Sequence, residues 1–412
     1  MNVMVIGSGG REHALADALY RSQKVDKVYV APGNYGMQDV AEIVDIAISN
    51  HDDLIAFAKK QQVELTIVGP EAVLAQGIVD AFENAGLKIF GPSKAASQIE
   101  ASKDFAKKLM KTYHIPTAAY ATFTNKKEAK AYIEKQGVPI VIKEDGLKAG
   151  KGVRVCQDKK EALEVIEDIF SVGDNTVVIE ECLQGFEFSL MSFVYHDLVI
   201  PMEIAQDHKC AYDGDTGPNT GGMGAYSPVK KITQEIIDEA MDRVMIPAVK
   251  GMLEQGTPFV GFLYGGFMLS EDGIKTIEFN ARFGDPEAEV ILPRLQSDLV
   301  EVILSLMEGK KTPLVWSDEV TLGVVMAGRA YPQTASKGSV ITGLHNVDSR
   351  IFHMGTRYEN EHYQTSGGRV LCVVAKAKTI QEAYDKAYQD IEKIKCKELV
   401  YRHDIGKKDM EE

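Results

Sequence analysis

The segment 278–287 (EFNARFGDPE) holds the side chains with the clearest potential for chemistry. On a strand, alternate residues face the same side, so Glu278, Asn280 and Arg282 would point together while the phenylalanines pack the other way. Carboxylate and amide oxygens are hard ligands that suit Mg²⁺ or Mn²⁺ on a polyphosphate. A neighbouring arginine can stabilise charge on a phosphoryl group in transfer. We therefore predict metal ligands at Glu278 and Asn280 and a catalytic Arg282.

A second candidate is a lysine beside a glycine-rich loop. Lys143 ends an apolar strand, from which its ammonium could reach nucleotide phosphates, and the loop 146–152 follows. Glycine lacks a Cβ, so backbone amides in such a loop can approach phosphate oxygens closely. A tight hairpin with solvated lysines would give the same pattern. Farther along, Glu180 and Glu181 end a strand whose backbone could pair with adenine, although solvated glutamates are the alternative, and Glu187 could accept ribose hydroxyls.

The N-terminal loop GSGGREH is similar to the dinucleotide-binding fingerprint G-x-G-x-x-G. It does not match that fingerprint in full. The third glycine position holds Glu12, and the second strand ends in APG rather than in an acid. Backbone amides at a helix N-terminus still suit a phosphate, although a glycine turn without a ligand is the alternative. We place the phosphate of a substrate at Gly9, Gly10 and Arg11, with Glu71 nearby as a further substrate contact.

The segment 213–227 is a glycine-rich loop that could close over a small substrate. A calcium loop is the rival because the run opens D-G-D, but glycines occupy its fifth and twelfth positions, where calcium ligands belong. We predict substrate contacts at Asn219, Thr220, Gly221 and Gly222. We also predict three further catalytic residues, the last two of which could orient an amine: Asp213, Asp285 and Glu287.

The elements that position these residues are read from hydrophobic patterns. Apolar runs alternate with helical patterns over the first hundred residues, which predicts a doubly wound parallel sheet. A ligand would lie beyond the carboxyl ends of its strands, where the loops 7–12 and 69–71 fall. We predict a multidomain α/β and α+β protein: a Rossmann-like substrate domain at 1–101, a nucleotide domain at 102–320 with a mobile lid at about 123–190, and a small mixed α/β domain at 321–412.

Composition excludes several classes of function. The 412 residues carry a net charge of −14, so nonspecific binding to nucleic acid or to anionic membranes is not expected. Five scattered cysteines without a C-x-x-C pair indicate reduced thiols. The N-terminus lacks the features of a signal peptide, and no apolar run approaches about 20 residues. We therefore expect a cytoplasmic protein with no nucleic-acid or membrane partner.

Seven stretches, in order, resemble the ATP-grasp superfamily and within it the phosphoribosylamine–glycine ligase family. They are GSGGREHAL, GPEAVLAQGIVDAF, FGPSKAASQIEASKDFAK, PIVIKEDGLKAGKGV, AQDHKCAYDGDTGPNTGGMGAYSP, IEFNARFGDPEAE and YRHDIG. The resemblance implies a central ATP-grasp fold. It also implies a ligase of de novo purine biosynthesis that converts ATP, glycine and 5-phosphoribosylamine into glycinamide ribonucleotide, ADP and phosphate through glycyl phosphate.

The resemblance also implies where the cofactors, ATP and Mg²⁺ or Mn²⁺, are bound. The metal ligands fall on Glu278 and Asn280. The nucleotide contacts fall on nine residues: Lys103, Lys143, Gly150, Lys151, Gly152, Glu180, Glu181, Leu183 and Glu187. Three residues depart from the family pattern and put nucleotide affinity and loop dynamics in question: Glu144, Phe186 and Cys210. The strand before the E-x-N strand, FLYGGFML, has no acid, so the number of metals stays open.

Two other functions remain as alternatives. One is a different ligase of the same superfamily, such as a carboxylase-type enzyme. The other is a nucleotide-sensing protein, against which the E-x-N-x-R pattern argues because a sensor does not need it. We expect a monomer, with a weak dimer as the alternative, and a transient contact with the enzyme that supplies 5-phosphoribosylamine.

Overall fold

A computed structural model describes residues 1–148, 152–173 and 175–410. The first elements are β1 (Asn2–Gly7), α1 (Gly10–Tyr20), β2 (Lys27–Pro32), β3 (Glu42–Ile43), α2 (His51–Lys60), β4 (Val63–Val68), α3 (Glu71–Gln76), α4 (Ile78–Asn84), β5 (Ile89–Phe90) and α5 (Gln98–Ala101). The strands form the predicted parallel sheet in the order β3-β2-β1-β4-β5. Because β1 and β4 are neighbours, the loops that follow them meet at one edge of the sheet.

The next part of the chain forms a small antiparallel sheet covered by two helices. Its elements are α6 (Lys103–Thr112), β6 (Tyr120–Phe123), α7 (Lys126–Gln136), β7 (Ile140–Glu144), β8 (Val153–Cys156), α8 (Lys159–Ser171), β9 (Val177–Glu181), β10 (Phe186–Tyr195) and β11 (Leu198–Pro201). The small sheet has the order β6-β9-β7-β8. Its core is a separate cluster in which Ile133 of α7 and Ile166 of α8 pack with Ile142 and Ile179 of the sheet. Apolar residues recur every three to four positions along both helices, so that each helix has one apolar face for this packing.

A larger antiparallel sheet, β11-β10-β16-β17, follows. The elements of this part are β12 (Gln206–Asp207), β13 (Cys210–Tyr212), β14 (Thr216–Asn219), β15 (Gly224–Ser227), α9 (Gln234–Ala240), α10 (Ile246–Glu254), β16 (Val260–Ser270), β17 (Gly273–Asn280), α11 (Glu287–Ile291) and α12 (Leu299–Met307). A π-helical segment, Met241–Met245, joins α9 to α10, so one continuous helix spans 234–254. The strands β16 and β17 form a hairpin that turns at 271–272.

The last elements are β18 (Val320–Gly328), β19 (Ser336–Ile341), β20 (Arg350–His353), β21 (Thr356–Glu359), β22 (His362–Gly367), β23 (Arg369–Ala377), α13 (Ile380–Ile391), β24 (Leu399–Val400) and α14 (Lys407–Met410). The main sheet has the order β12-β15-β18-β23-β20, with β24 also paired to β18. Gly224 of β15 lies opposite Val324 of β18. The glycine-rich segment 213–227 is therefore attached to the C-terminal sheet, a pairing that the sequence pattern did not predict.

A buried aromatic cluster holds the segment 278–287 against the N-terminal sheet. Phe262 of β16 contacts Phe90 of β5, Phe193 of β10 and Phe283, with ring centroids 5.1, 5.4 and 5.0 Å apart. Such edge and offset contacts stabilise aromatic pairs beyond the burial of their surface. The end of β17 is thereby placed beside the loops that follow β1 and β4.

The predicted fold class is confirmed, with a parallel N-terminal sheet, antiparallel central sheets and a mixed C-terminal part. All five cysteines are free thiols, as their scattered positions predicted. Within the described part of the chain, none of the helices has the length and apolar character needed to span a membrane.

Candidate active site

A cavity of about 610 Å³ lies between the small sheet, the larger sheet and the edge of the N-terminal sheet. Most residues predicted from the sequence line it: Arg11, Glu71, Lys103, Lys143, Gly152, Glu180, Glu181, Leu183, Glu187, Asn219, Thr220, Gly221, Glu278, Asn280, Arg282, Asp285 and Glu287. Four predicted residues are not among its lining residues: Gly9, Gly10, Asp213 and Gly222. Two more, Gly150 and Lys151, lie outside the residues that the structure describes.

The strand β17 presents an acid and an amide side by side. Glu278 and Asn280 both face the cavity, and Asn280 Nδ2 donates to Glu278 Oε1 at 3.4 Å. Phe279, between them, is buried and packs in the hydrophobic core, in keeping with the alternation of a strand. Burial alone would raise the pKa of Glu278, but the cations of Lys209 and Lys143 lower that pKa below its ordinary value. The Glu278 carboxylate is therefore charged at neutral pH.

A buried ion-pair cluster lies next to this strand. Lys143 Nζ is 3.0 Å from Glu180 Oε1 and donates to the carbonyl of Ile277 at 3.0 Å. Lys107 Nζ is 3.0 Å from the other carboxylate oxygen, Glu180 Oε2. Glu180 is only 3% exposed, which excludes the alternative that both glutamates at this strand end are solvated. Glu181, the next residue, is half-exposed and lies 3.5 Å from Lys275 Nζ.

Lys103 connects α6 to the loop after β7. Its ammonium donates to the Gly146 carbonyl at 2.8 Å, and its backbone N–H donates to Asp145 Oδ1 at 2.6 Å. Ser102 begins the helix by accepting from the N–H of Phe105. Burial lowers the pKa of Lys103, although the carboxylates of Glu278 and Asp145 oppose this shift. Lys103 and Lys143 thus approach the same cavity from two separate elements.

Arg282 forms ion pairs with two carboxylates, neither of which is that of Glu278. Its Nε lies 3.4 Å from Glu71 Oε2 and its Nη2 lies 3.2 Å from Glu100 Oε1. Glu100 Oε2 also accepts from the N–H of Ala281 at 2.7 Å. Burial raises the pKa of Glu100 to about 7, although Arg282 opposes the shift. Glu100 was not among the predicted site residues, because nothing in its local pattern distinguishes it from a surface glutamate.

Glycines in the loops after β1 and β4 leave space for glutamate side chains of the protein itself. Glu12 Oε2 accepts from the N–H of Gly9 at 2.6 Å. A Cβ on Gly69 would lie 1.9 Å from Glu12 Oε1, and a Cβ on Gly10 would lie 2.2 Å from Glu289 Oε1. These close approaches explain the need for glycine. They also argue against the predicted phosphate contact at Gly9, since the Gly9 amide is already bonded to a carboxylate; the contact at Gly10 stays a prediction.

The other end of the cavity contains an arginine that sequence analysis missed. Arg369, at the start of β23, lies 2.9 Å from Asp285 Oδ1 through its Nη2. Its Nη1 donates to the carbonyls of Gly221 and Asp285 at 2.6 and 2.7 Å. Tyr331 accepts from the N–H of Gly221 at 2.9 Å. Two residues of the C-terminal part thus hold the glycine-rich segment and the turn that follows β17.

Lys209 is a further cation that sequence analysis missed. It contacts the carboxylate of Glu187 and lies 3.7 Å from Asp207 Oδ2. Burial raises the pKa of Asp207 well above its ordinary value, against the opposing charge of Lys209. Nearby, Ser189 Oγ donates to Glu287 Oε1 at 3.0 Å. The predicted ribose acceptor Glu187 is therefore paired with a cation of the protein.

Two predicted site residues have other contacts. Asp213 accepts from the backbone N–H of His403 at 2.7 Å, and its second oxygen is 3.0 Å from His403 Nδ1. Because the turn between β13 and β14 faces the C-terminal segment, the predicted catalytic Asp213 is directed away from the cavity. The N–H of Gly222 donates to Thr220 Oγ1 at 3.0 Å, so it stabilises the loop internally.

Comparisons with known proteins agree with this geometry. Models of the phosphoribosylglycinamide synthetase N domain, ATP-grasp (A) domain and C domain match residues 1–100, 101–288 and 321–408. The phosphoribosylamine–glycine ligase of Halalkalibacterium halodurans is 52% identical over 99% of this chain and 97% of its own length. That of Lactococcus lactis is 50% identical over 98% and 99%.

A solved structure gives the same result. The phosphoribosylamine–glycine ligase of Thermotoga maritima superposes with a TM-score of 0.86 at 32% identity, covering 98% of this chain and all of that one. The resemblance seen in the sequence is thereby confirmed. The chain belongs to the phosphoribosylglycinamide synthetase family, and its central part is an ATP-grasp domain.

Proposed function

We propose that the chain is an ATP-dependent ligase that joins glycine to 5-phosphoribosylamine. ATP would be cleaved to ADP and phosphate through glycyl phosphate, and the product would be glycinamide ribonucleotide, an intermediate of de novo purine biosynthesis. One observation carries this proposal: a single cavity collects the acid–amide pair of β17, lysines from α6 and β7, and the arginines Arg282 and Arg369. Membership of the family supports the same reaction.

The nucleotide end of the cavity, as we define it, comprises Lys103, Lys143, residues 180–183 and Glu187. The two ammonium groups would bind the polyphosphate, because they face the cavity from different elements next to the acid–amide pair. The backbone of 180–183 would pair with the adenine, and Glu187 would accept ribose hydroxyls. The nucleotide contacts assigned to Gly150, Lys151 and Gly152 of the glycine-rich loop 146–152 remain predictions.

The oxygens of Glu278 and Asn280 fit a divalent cation shared with a polyphosphate. Among residues 1–148, 152–173 and 175–410 there is no group of three or more histidine, cysteine or acidic side chains suited to a metal. A site with one carboxylate and one amide fits Mg²⁺ or Mn²⁺, which commonly take further ligands from phosphate and water. Such an ion would neutralise charge on the terminal phosphate when bound.

The substrate end, as we define it, comprises Arg11, Arg282, Asp285, Glu287 and Arg369. The arginines would bind anionic groups, namely the glycine carboxylate and the phosphate of 5-phosphoribosylamine. Arg369 takes the role that sequence analysis gave to the amides of the first glycine loop. The carboxylates at 285 and 287 would accept hydrogen bonds from the reacting amine and so orient it.

The chemistry requires no nucleophile from the protein. A glycine carboxylate oxygen attacks the γ-phosphorus, and ADP leaves. The amine nitrogen of the second substrate then attacks the acyl carbon, phosphate leaves, and the amine loses a proton. The protein contributes orientation and the exclusion of water, which would otherwise hydrolyse the acyl phosphate. The segment 219–221 lines the same cavity and would cover the reacting atoms.

Phosphate release tests the proposal directly. The purified chain is mixed with ATP, Mg²⁺, glycine and freshly generated 5-phosphoribosylamine, and each substrate is omitted in turn. Phosphate should appear only in the complete mixture, and glycinamide ribonucleotide should form in equal amount. Equal phosphate release without glycine, or with another carboxylic acid in its place, would refute the assignment.

A further inference from the structure

Lys107 is a buried lysine to which the proposed mechanism assigns no role. It lies on α6, lines the cavity and is only 2% exposed. Its ammonium is 3.0 Å from Glu180 Oε2, donates to Thr117 Oγ1 at 2.8 Å and lies 5.2 Å from the ring centre of Tyr120. Burying an ammonium is unfavourable unless it is paired. Burial lowers the pKa of Lys107 to about 8, although Glu180 opposes the shift.

The partner of Lys107 is shared with the lysine that the mechanism uses. Glu180 binds Lys107 through one oxygen and Lys143 through the other, each at 3.0 Å. The three side chains come from α6, β9 and β7, and all three line the cavity. Two ammonium groups and one carboxylate leave one net positive charge. That charge lies beside Glu278 and Asn280, where we place the polyphosphate.

We propose that Lys107 is a positioning residue for ATP: by pairing with Glu180, it leaves the charge of Lys143 free to bind the polyphosphate. The proposal rests on the proposed function, because it assumes that the phosphates bind Lys143. Without Lys107, the buried carboxylate would retain Lys143 as a partner and would compete with the phosphates for its ammonium. The cluster would then be neutral instead of positive.

The surroundings of Lys107 also suggest a structural role, which the experiment must separate from this one. Thr117, which accepts from Lys107, donates to the carbonyl of Thr276 at 2.7 Å, on the strand that carries Glu278. Loss of Lys107 could therefore disturb β17 through this chain of hydrogen bonds. A structural disturbance would weaken all ligands of the cavity alike, whereas loss of free positive charge affects phosphates most.

Titration calorimetry of the full chain with MgATP, without glycine or amine, gives the required measurement. Lys107→Met removes the charge, and Lys107→Met/Glu180→Gln removes the carboxylate as well. We expect Lys107→Met to weaken ATP binding about tenfold or more, and the double variant to recover most of that loss. Lys108→Met is the matched control on the same helix, because Lys108 is exposed and pairs with Asp104; ATP affinity should be unchanged.

Adenosine, measured by displacement of ATP, separates charge from structure. Because adenosine has no phosphate, its affinity should change less than about threefold in Lys107→Met. The proposal fails if ATP binds Lys107→Met as well as the natural chain, if adenosine is weakened as much as ATP, or if the double variant shows no recovery. These titrations do not depend on ligation, so a failure of the proposed reaction would leave their result interpretable.

If Lys107→Met does not fold, the same question is answered by comparing the double variant with the natural chain. Its one remaining ammonium leaves the cluster with the same net charge as in the natural chain, so the two should bind ATP with affinities within about threefold of each other. A tenfold loss in the double variant would show that Lys107 acts on the nucleotide by another route.

Discussion

The two ends of the cavity are built in different ways. The nucleotide end is made mainly of residues within one part of the chain, on α6, β7 and β9, and its charges are paired within that part. The substrate end is assembled from distant segments: Arg11 follows β1, Asp285 follows β17, and Arg369 begins β23. Arg369 and Asp285 are 84 positions apart and bind each other at 2.9 Å. The first end depends on local pattern, and the second depends on how the parts of the fold pack together.

This difference implies that the two ends can be damaged separately. A change at the substrate end should leave the nucleotide contacts intact, because its hydrogen bonds run to the segment 220–222 and to the turn after β17. The strand β17 is the exception, since it borders both ends. Variants of β17 should therefore affect the whole reaction, whereas variants elsewhere should affect one substrate at a time.

The largest effect is expected for Glu278→Ala. Without this carboxylate, Asn280 alone faces the polyphosphate, and Lys143 and Lys209 lose a nearby opposite charge. We expect product formation to fall by about a thousandfold or more, with the melting temperature within a few degrees of the natural chain. Glu271→Ala, at the exposed turn of the same hairpin, is the control. Near-normal turnover in Glu278→Ala would contradict the metal assignment. It would also contradict the expectation that variants of β17 affect the whole reaction.

Much of the fold and of the nucleotide end was predictable from the sequence. The parallel N-terminal sheet, the hairpin of β16 and β17, and the helix 159–171 follow from hydrophobic period and turn residues. The common orientation of Glu278 and Asn280 follows from the two-residue period of a strand, whereas Arg282 lies beyond the end of β17. These features depend on residues close together in the chain, which is the information that a single sequence carries.

The substrate end was harder to predict because it depends on contacts between distant segments. The pairing of β15 with β18 brings the glycine-rich segment to Arg369, and no local pattern indicates that register. The first glycine loop shows a related failure. Its glycines match a phosphate loop in composition, yet the space beside them is filled by Glu12, an interaction that depends on the Gly69 loop as well.

The second-largest effect is expected for Arg369→Met, which tests the separation of the two ends. Loss of this partly buried cation should lower kcat/KM for 5-phosphoribosylamine by about 30- to 100-fold, while KM for ATP changes less than about threefold. Steady-state kinetics with each substrate varied in turn would show the split. Arg357→Met, on β21, is a matched control because Arg357 is exposed and pairs with Glu359. Equal losses for both substrates would mean that the ends are coupled.

A smaller effect, on stability, is expected at Glu100, where Arg282 is held. Burial raises the pKa of Glu100 to about 7 from 4.5, so between these values the folded chain binds more protons than the unfolded chain. Stability should therefore fall as pH rises, by about 2 kcal/mol from pH 5 to pH 7. Glu100→Gln should remove this part of the slope in melting experiments, whereas Glu64→Gln, on exposed β4 surface, should keep it. If the dependence of stability on pH is unchanged in Glu100→Gln, the Glu100 carboxyl does not titrate in this pH range.

The smallest effect is expected for Asp213→Ala, although the sequence pattern made this residue a catalytic candidate. Its carboxylate binds His403, which is exposed, and an exposed pair of this kind contributes little to stability. We expect kcat and both KM values to change less than about threefold, and we expect His403→Ala to behave in the same way. A loss of activity above a hundredfold would mean that the segment 213–227 rearranges during the reaction and brings Asp213 into the cavity. In that case the substrate end would be completed only in the presence of substrate, and its contrast with the preformed nucleotide end would be greater still.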